Sequence, residues 1–374
     1  MRYFLMAICI VVMGASSAHA QDEPLPDSVA RAYLAYETAL AAQDDDTAFD
    51  AAAAAWRAAR TARIDPELIG ILAENYGQLA QRRGAYGEAY EAWRNAAEIS
   101  DRARNPAPER ALRWYNAGVA AYANGEVDDA NRCLARSVRA QPADEAVRDE
   151  DLYGNTRYLI AATTAQLGRL SGVGEHARAA IAAFQASGRP DDSMYANAHY
   201  LSGIAYYSSG DDAESAMEFN MARGILATVD AVGRQNDIRV LELWLSLARD
   251  RLSEPQLEQI DVQLAASRFP PLPETELFEI TEEHNHDAVA IVRIEPRYPR
   301  EAARQGIQGV SLVQFDLSAE GVPENIVVIT SIPGGVFGEV SAQAVAQWRY
   351  QPMMRDGQPV PRLGVETAFV FQLR

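Results

Sequence analysis

Four glycines divide much of the chain into units of nearly equal length, and this spacing constrains the fold more than any other feature. Gly84, Gly125, Gly168 and Gly210 follow one another at intervals of 41, 43 and 42 residues. Each glycine ends one apolar helical stretch and precedes another, so each unit is predicted to be a pair of helices. A helical pair cannot bury its apolar face alone, and stacking on neighbouring pairs closes a continuous core. The spacing therefore predicts an all-α solenoid.

Small and aromatic residues recur at fixed offsets within these units. The clearest unit carries Trp114, Gly118, Ala130, Leu134, Ser137 and Pro142. Parts of the pattern return at Gly77, Ala89, Trp93 and Ala96, and at Gly203, Tyr206, Phe219 and Ala222. The pattern resembles the tetratricopeptide repeat, in which small residues let two helices cross closely. We expect a weaker unit around 161–180, a further helical pair within 28–63 and a capping helix near 238–252.

The charge pattern limits the chemistry and the partners of the chain. The sequence contains no lysine, which excludes Schiff-base chemistry, a phosphate-loop lysine and a Ser-x-x-Lys nucleophile. The formal net charge is −18, and residues 288–374 hold eight arginines against eight acidic residues, so the excess lies upstream. An acidic helical domain repels nucleic acid and anionic lipid. Neutral or cationic partners are therefore favoured.

The first 20 residues have the layout of a cleaved secretory signal peptide. Arg2 precedes an apolar run over 4–12, and Ala18-His19-Ala20 precedes acidic residues. The run is shorter than the roughly 20 apolar residues of a spanning helix. We therefore expect cleavage after Ala20 and a periplasmic protein. The alternative is an uncleaved segment that anchors the chain in the inner membrane, facing the periplasm.

Beyond residue 20 the chain is long enough for two domains. We assign residues 21–252 to the helical repeat domain and 288–374 to a smaller domain. Composition shifts between Ser253 and Asp287, and the proline-rich stretch 269–273 cannot continue a helix. Residues 253–287 are therefore predicted to be a linker. The predicted fold class is α+β with two domains.

The smaller domain alternates strand and helix patterns. Alternating apolar residues predict strands over 311–317 and 325–331. A helix with a single apolar stripe follows, carried by Phe337, Val340, Ala344 and Trp348. The last strand is predicted to present one face of Leu363, Val365, Thr367, Phe369, Phe371 and Leu373. This helix and another over 300–305 are short and amphipathic, so they must cover one face of a three-stranded sheet.

A series of short motifs stands in the smaller domain in a fixed order. They are Glu295-Pro296-Arg297-Tyr298-Pro299, Gly306 and Gly309, Phe315-Asp316-Leu317, Gly321, Ser331 with Pro333, Phe337, Trp348-Arg349-Tyr350-Gln351-Pro352 and Gly357-Gln358-Pro359-Val360. Their order and spacing resemble a TonB C-terminal domain over about 85 residues. Trp348, Phe337 and Tyr298 are expected to be core residues of this domain.

The resemblance implies a binding mode. In that family the domain captures an extended segment of an outer-membrane transporter, which adds as a strand beside the last strand of the sheet. An edge strand presents unpaired N–H and C=O groups, which a guest backbone satisfies with little demand on its own sequence. The partner-binding residues implied here are Glu295, Arg297, Gly364, Val365, Glu366, Thr367, Ala368, Phe369, Val370 and Phe371.

Other candidate sites favour structural interpretations. His284 and His286 lack a fixed third and fourth metal ligand, which favours a solvated linker. Asp44-Asp45-Asp46 lacks the glycine and glutamate of a calcium loop, which favours helix capping. Cys133 lies on an apolar helical stripe, which favours burial. We expect no catalytic residue, no metal and no cofactor, and therefore a protein that is not an enzyme.

These features lead to three functional hypotheses. The first is a periplasmic adaptor whose small domain binds an outer-membrane transporter or another envelope protein, while the repeats bind or space a second protein. The second is a membrane-anchored energy transducer of transport. The third is a structural envelope protein in which the sheet edge pairs with a second copy to form a homodimer.

Overall fold

The computed structural model describes residues 25–189, 193–230, 235–269, 288–304, 307, 309–332, 335–355 and 357–371. The N-terminal part of these ranges is helical. Its helices are α1 (Asp27–Ala41), α2 (Asp45–Thr61), α3 (Pro66–Arg83), α4 (Tyr86–Ala103), α5 (Ala107–Ala123), α6 (Val127–Ala140), α7 (Glu150–Gln166), α8 (Val173–Ala186), α9 (Ser193–Ser209), α10 (Asp212–Asp230), α11 (Gln235–Arg249) and α12 (Glu254–Ala266). Each of the helices α1 to α10 packs on the next, and α12 packs on α10. The predicted helical solenoid is confirmed. Within the described ranges no helix is both long and apolar enough to cross a membrane.

The four periodic glycines form the turns inside the helical pairs. Gly84, Gly125, Gly168 and Gly210 all adopt positive φ, between 71° and 86°. A residue with a Cβ pays for this left-handed conformation, so glycine is favoured there. The first pair turns at Gln43, which has a φ of 56°. The absence of glycine at this turn explains why the period does not extend to α1 and α2.

Small residues let the paired helices approach closely, as the repeat pattern predicted. A Cβ at Gly118 would lie 2.7 Å from Leu134 Cγ, and one at Gly203 would lie 2.6 Å from Phe219 Cε1. Cys133 is buried in the core formed by the first helices of the solenoid, and burial raises the pKa of its thiol to about 11. A buried thiol with a raised pKa is a weak nucleophile. The helix contacts therefore account for these residues through packing.

The end of the repeat domain differs from the composition-based boundary. Residues 254–266, assigned to the linker, form α12. The side chain of Gln256 accepts a hydrogen bond of 3.1 Å from the backbone N–H of Ser253, which caps the helix. Phe269 follows α12, and its backbone oxygen accepts a hydrogen bond of 2.7 Å from the side chain of Asn220 in α10. The Phe269 ring occupies the space over Gly224 of α10, so the chain stays attached to the repeat domain as far as residue 269.

The C-terminal domain contains a small sheet and two short helices. Its elements are β1 (Ala290–Val292), α13 (Arg300–Arg304), β2 (Gly309–Leu317), β3 (Pro323–Ile332), α14 (Gly338–Val345), β4 (Arg349–Tyr350), β5 (Met353–Arg355), β6 (Gln358–Val360) and β7 (Arg362–Phe371). Strands β3, β2 and β7 form an antiparallel sheet in that order. The two-stranded ribbons β1–β4 and β5–β6 were not predicted.

The central strand β2 is buried on both faces. Val313, Phe315 and Leu317 join the core of their own domain, together with Phe337 and Trp348. On the opposite face, Val310 and Leu312 belong to a cluster otherwise formed by residues of α8 to α11, which includes Trp244. Ile329 of β3 and Ala368 of β7 pack against the same cluster. The sheet therefore separates the helices of its own domain from the repeat domain.

The close helix crossing at Gly203 gives a first prediction. Gly203→Ala places a methyl group against the Phe219 ring, which is fully buried and stacked on Trp244. Overpacking of this kind costs about 1–3 kcal/mol, so we expect a lower unfolding temperature by far-UV circular dichroism. Gly87→Ala is the matched control, since a Cβ there meets only Asn124 at 3.4 Å. Equal stability of the two variants would contradict close packing at Gly203.

Candidate functional site

Strand β7 forms one edge of the sheet. Among the described residues its strand neighbour is β2. Pairing with β2 is regular from Val365, opposite Phe315, to Phe371, opposite Gly309. Regular pairing on one side leaves an equally regular row of N–H and C=O groups on the other. All eight partner-binding residues predicted on the last strand, Gly364 to Phe371, lie in β7.

The opposite edge, β3, is less suited to pairing with a guest strand. Its register with β2 shifts twice, between Leu312 and Val313 and between Gln314 and Asp316. Asn325 of β3 has a positive φ of 49°, and Pro323 starts the strand without an N–H group. Bulges and proline are features that protect sheet edges from pairing. Of the two edges, β7 therefore has the more continuous row of backbone groups.

A bulge near the start of β7 is fixed by Asp316. Its carboxylate accepts hydrogen bonds from the side chain of Asn325, at 2.8 Å, and from the backbone N–H of Gly364, at 2.9 Å. The β2–β7 register shifts at this point, and Gly364 has a φ of 72°. The alternation predicted for this strand is therefore wrong at Leu363, which is 71% exposed and does not share the core face with Val365. The predicted position of Leu373 lies outside the described residues.

The side chains of β7 divide between core and surface. Val365, Phe369 and Phe371 are buried in the domain core. Thr367 shares their face, opposite Val313. On the other face Val370 is 42% exposed, whereas Glu366 is only 7% exposed and accepts a hydrogen bond of 2.9 Å from Gln314. The outer margin of β7 therefore presents mainly its backbone groups.

The segment before α13 runs beside the core face of β7. The backbone oxygen of Ile294 accepts a hydrogen bond of 2.8 Å from the indole N–H of Trp348, whose ring contacts Phe369. Tyr298 packs edge-on against Phe371, and its hydroxyl donates a hydrogen bond of 2.6 Å to the backbone oxygen of Ile307. Burial raises the pKa of Tyr298. These contacts connect the segment to residues of the edge strand.

Glu295 and Arg297 lie on this segment between the two anchors. Both residues are exposed. Since the flanking residues Ile294 and Tyr298 are tied to Trp348 and Phe371, the segment lies on the side of the sheet that faces the domain core. Tyr298, which follows Arg297, contacts Phe371 of β7, so the segment that carries the two predicted side chains passes next to the end of this strand. Trp348 and Phe337 are core residues, as expected, and Tyr298 is half-buried and packs against this core.

Comparison with known proteins agrees with this geometry. Residues 294–373 match the family model of the Gram-negative bacterial TonB protein C-terminal. Residues 294–373 of this chain belong to the TonB C-terminal family. The protein TonB of Pseudomonas aeruginosa is 35% identical over 74 residues, which are 20% of this chain and 22% of that protein. The solution NMR structure of its C-terminal domain is 32% identical, with coverage of 23% of this chain and 87% of that chain and a TM-score of 0.22.

The repeat domain has its own structural neighbours. A crystal structure from Podosopora anserina, described by nearly identical TPR-like repeats, is 17% identical and covers 55% of this chain and 99% of that chain, with a TM-score of 0.40. The curated TonB relatives match 73 to 84 residues of this chain, and the chain spans less than a third of their length. The family assignment therefore applies to the TonB C-terminal domain.

The contact between β2 and the repeat domain was not predicted from the sequence. The signal was present, because Val310 and Leu312 alternate with Val313 and Phe315, so both faces of the strand are apolar. Such a strand is typical of burial on two sides. The helices of the TonB C-terminal domain can cover only one face of the sheet. The second apolar face therefore pointed to a further contact.

The remaining candidate sites are the histidine pair and the aspartate cluster. His284 and His286 lie outside the described residues. Within the described ranges, no group of three His, Cys, Asp or Glu residues could hold a metal ion. Asp44 caps α2, since its carboxylate accepts a hydrogen bond of 3.1 Å from the N–H of Thr47. The capping interpretation of this aspartate is confirmed.

The Asp316 hydrogen bonds give a pH-dependent prediction. Bonds from Asn325 and from the Gly364 N–H lower the pKa of Asp316 below its ordinary 3.8. A depressed folded-state pKa stabilises the fold above pH 3.8, and this contribution is lost as the pH falls through the folded-state pKa. We expect Asp316→Asn to destabilise β7 by about 1 kcal/mol at neutral pH, with the difference from the wild type shrinking below pH 3.8.

Hydrogen exchange of the peptides that contain β7 measures this effect. The control is Glu324→Gln, because Glu324 is exposed on the neighbouring strand β3. Surface substitutions of this type change stability by less than about 0.5 kcal/mol. A difference between Asp316→Asn and the wild type that is independent of pH would contradict the role of the carboxylate.

Proposed function

We propose that this protein is a cell-envelope adaptor whose TonB C-terminal domain captures an extended segment of an outer-membrane transporter. The observation that carries the proposal is the regular outer edge of β7, beside which the described part of the chain places no other strand, in a domain that matches this family. A guest strand gains main-chain hydrogen bonds along residues 365–371. Glu295 and Arg297 lie beside the guest and contact its side chains. Binding, without catalysis, is the activity of this surface.

The repeat domain supplies a second interaction surface in this proposal. Stacked helical pairs form extended surfaces that bind proteins. The excess of acidic residues upstream of residue 288 favours neutral or cationic partners. The adaptor thus brings a second protein to the transporter that its TonB C-terminal domain holds.

A homodimer through β7 is the competing use of the same edge. Two copies could pair their β7 strands, which would satisfy the same backbone groups. The adaptor proposal expects a monomeric mass by sedimentation at working concentration and a free edge for the transporter segment. A stable dimer that excludes the segment would overturn the adaptor in favour of the structural role.

Val370→Lys tests the edge directly. Val370 is an exposed apolar residue on β7, and a lysine on an edge strand opposes further strand pairing. We expect the affinity for synthetic peptides copying the N-terminal segments of transporters from the same cell to fall at least about tenfold, or 1.4 kcal/mol. Fluorescence anisotropy of labelled peptides with the full chain measures the loss.

Val327→Lys is the matched control for this experiment. Val327 is 53% exposed on β3, the opposite edge of the same sheet. The control should bind the peptides as the wild type does. A larger loss of affinity from Val327→Lys than from Val370→Lys would place the guest at β3 instead of β7 and refute the proposal.

Processing of the N-terminus separates the adaptor from an anchored transducer. An adaptor that moves in the periplasm requires cleavage after Ala20, so we expect the native protein to start at Gln21 and to fractionate with the periplasm. N-terminal sequencing of protein from fractionated cells measures both properties. Retention of Met1 in the inner membrane would replace the adaptor with a transducer driven from that membrane.

A further inference from the structure

We infer that the repeat domain forms one wall of the guest site, so that the solenoid takes part in recognising the segment bound at β7. This inference rests on the proposed function, since it concerns a guest strand at that edge. It extends the proposal because strand addition by itself needs only the TonB C-terminal domain. Three observations support it, and they concern the two faces of the edge strand.

The first observation is that the repeat domain covers the helix-free face of the sheet. Val310 and Leu312 on the central strand are buried in the cluster of α8 to α11. A second contact adjoins this one, since a Cβ built at Gly168 would lie 3.1 Å from Ile307 Cδ1. The loop between α7 and α8 thus lies close to the start of β2. Ile307 itself packs in the core of the TonB C-terminal domain, so the repeat domain also reaches the margin of that core.

The second observation is that this cover reaches the edge strand. Ala368 lies opposite Leu312 in register and packs against the same cluster. Glu366, two residues away on the same face, is 7% exposed although β7 is an edge strand. The cover ends before Val370, which is much more exposed on that face. The wall therefore borders the middle of the edge, at residues 366–368.

The third observation is that the other face of the edge has a different wall. The segment that contains Glu295 and Arg297 is tied to Trp348 and Phe371 on the core face. Edge strand β7 thus lies between this segment and the repeat domain. A strand added about 4.8 Å away occupies the space bordered by both walls.

The alternation of side chains gives this arrangement a consequence for specificity. Successive residues of a guest strand point to opposite faces, whether it runs parallel or antiparallel to β7. Those on one face meet the segment with Glu295 and Arg297, and those on the other meet the repeat domain near Ala368. The partner that fits is an extended, proline-free peptide whose residue beside Ala368 faces an apolar wall.

Site-specific photo-crosslinking with the full chain tests the inference. The probes are the synthetic transporter peptides of the binding experiment, each carrying benzoylphenylalanine at one position in turn. We expect crosslinks to alternate with a period of two, between residues 288–304 and the repeat domain.

Hydrogen exchange on the same complexes distinguishes failure of the inference from failure of the proposed function. In one outcome the peptide protects the amides of residues 365–371, but the crosslinks from every position fall within residues 288–371. This outcome would support the guest site and show that the repeat domain is not part of it. A lack of protection in 365–371 would remove the guest site itself. Protection together with alternating crosslinks supports both.

Discussion

Strand β2 packs one face against the helices of its own domain and the other against the repeat domain, and the remaining architecture depends on this double burial. Phe315 and Val313 require Trp348 and Phe337 on one side, while Val310 and Leu312 require α8 to α11 on the other. A strand buried on both faces cannot slip by one residue, because a slip exchanges the two sets of side chains. The register of β7, which pairs with β2, is fixed by the same requirement.

Double burial also leaves the edges of the sheet as its accessible parts. The helices occupy one face of the sheet and the repeat domain the other, so backbone groups at the margins are what remains accessible. The two margins differ, because bulges and a positive φ at Asn325 interrupt β3 while β7 stays regular from Val365 to Phe371. Asp316 connects the two edge strands, since its carboxylate accepts hydrogen bonds both from Asn325 of β3 and from the Gly364 N–H of β7.

Local patterns predicted most of the elements, and the misses have physical causes. The turn glycines and the alternation of β7 report backbone requirements that are local, so the solenoid and the last strand could be predicted, whereas the place of this strand at the edge was implied by the family resemblance. Helix α12 was also predictable, because Ser253 and Gln256 stand at capping-box spacing and Pro255 suits a first turn. The linker was nevertheless predicted to start before this helix, because the prolines that follow it were included in the same stretch. The exposure of Leu363 and the partner of Val310 depend on a bulge and on an interdomain contact, which no local period encodes.

The attachment of Phe269 to α10 affects how strongly the two domains must attract each other. Asn220 and Gly224 hold this residue beside the helices that receive the sheet, and 18 residues separate it from Ala288. Those residues span at most about 65 Å, so the tether confines the sheet to the neighbourhood of its docking face. Confinement of this kind corresponds to an effective concentration on the order of millimolar. An apolar contact of a few side chains, too weak to hold two separate proteins together, is then sufficient to keep the two domains associated.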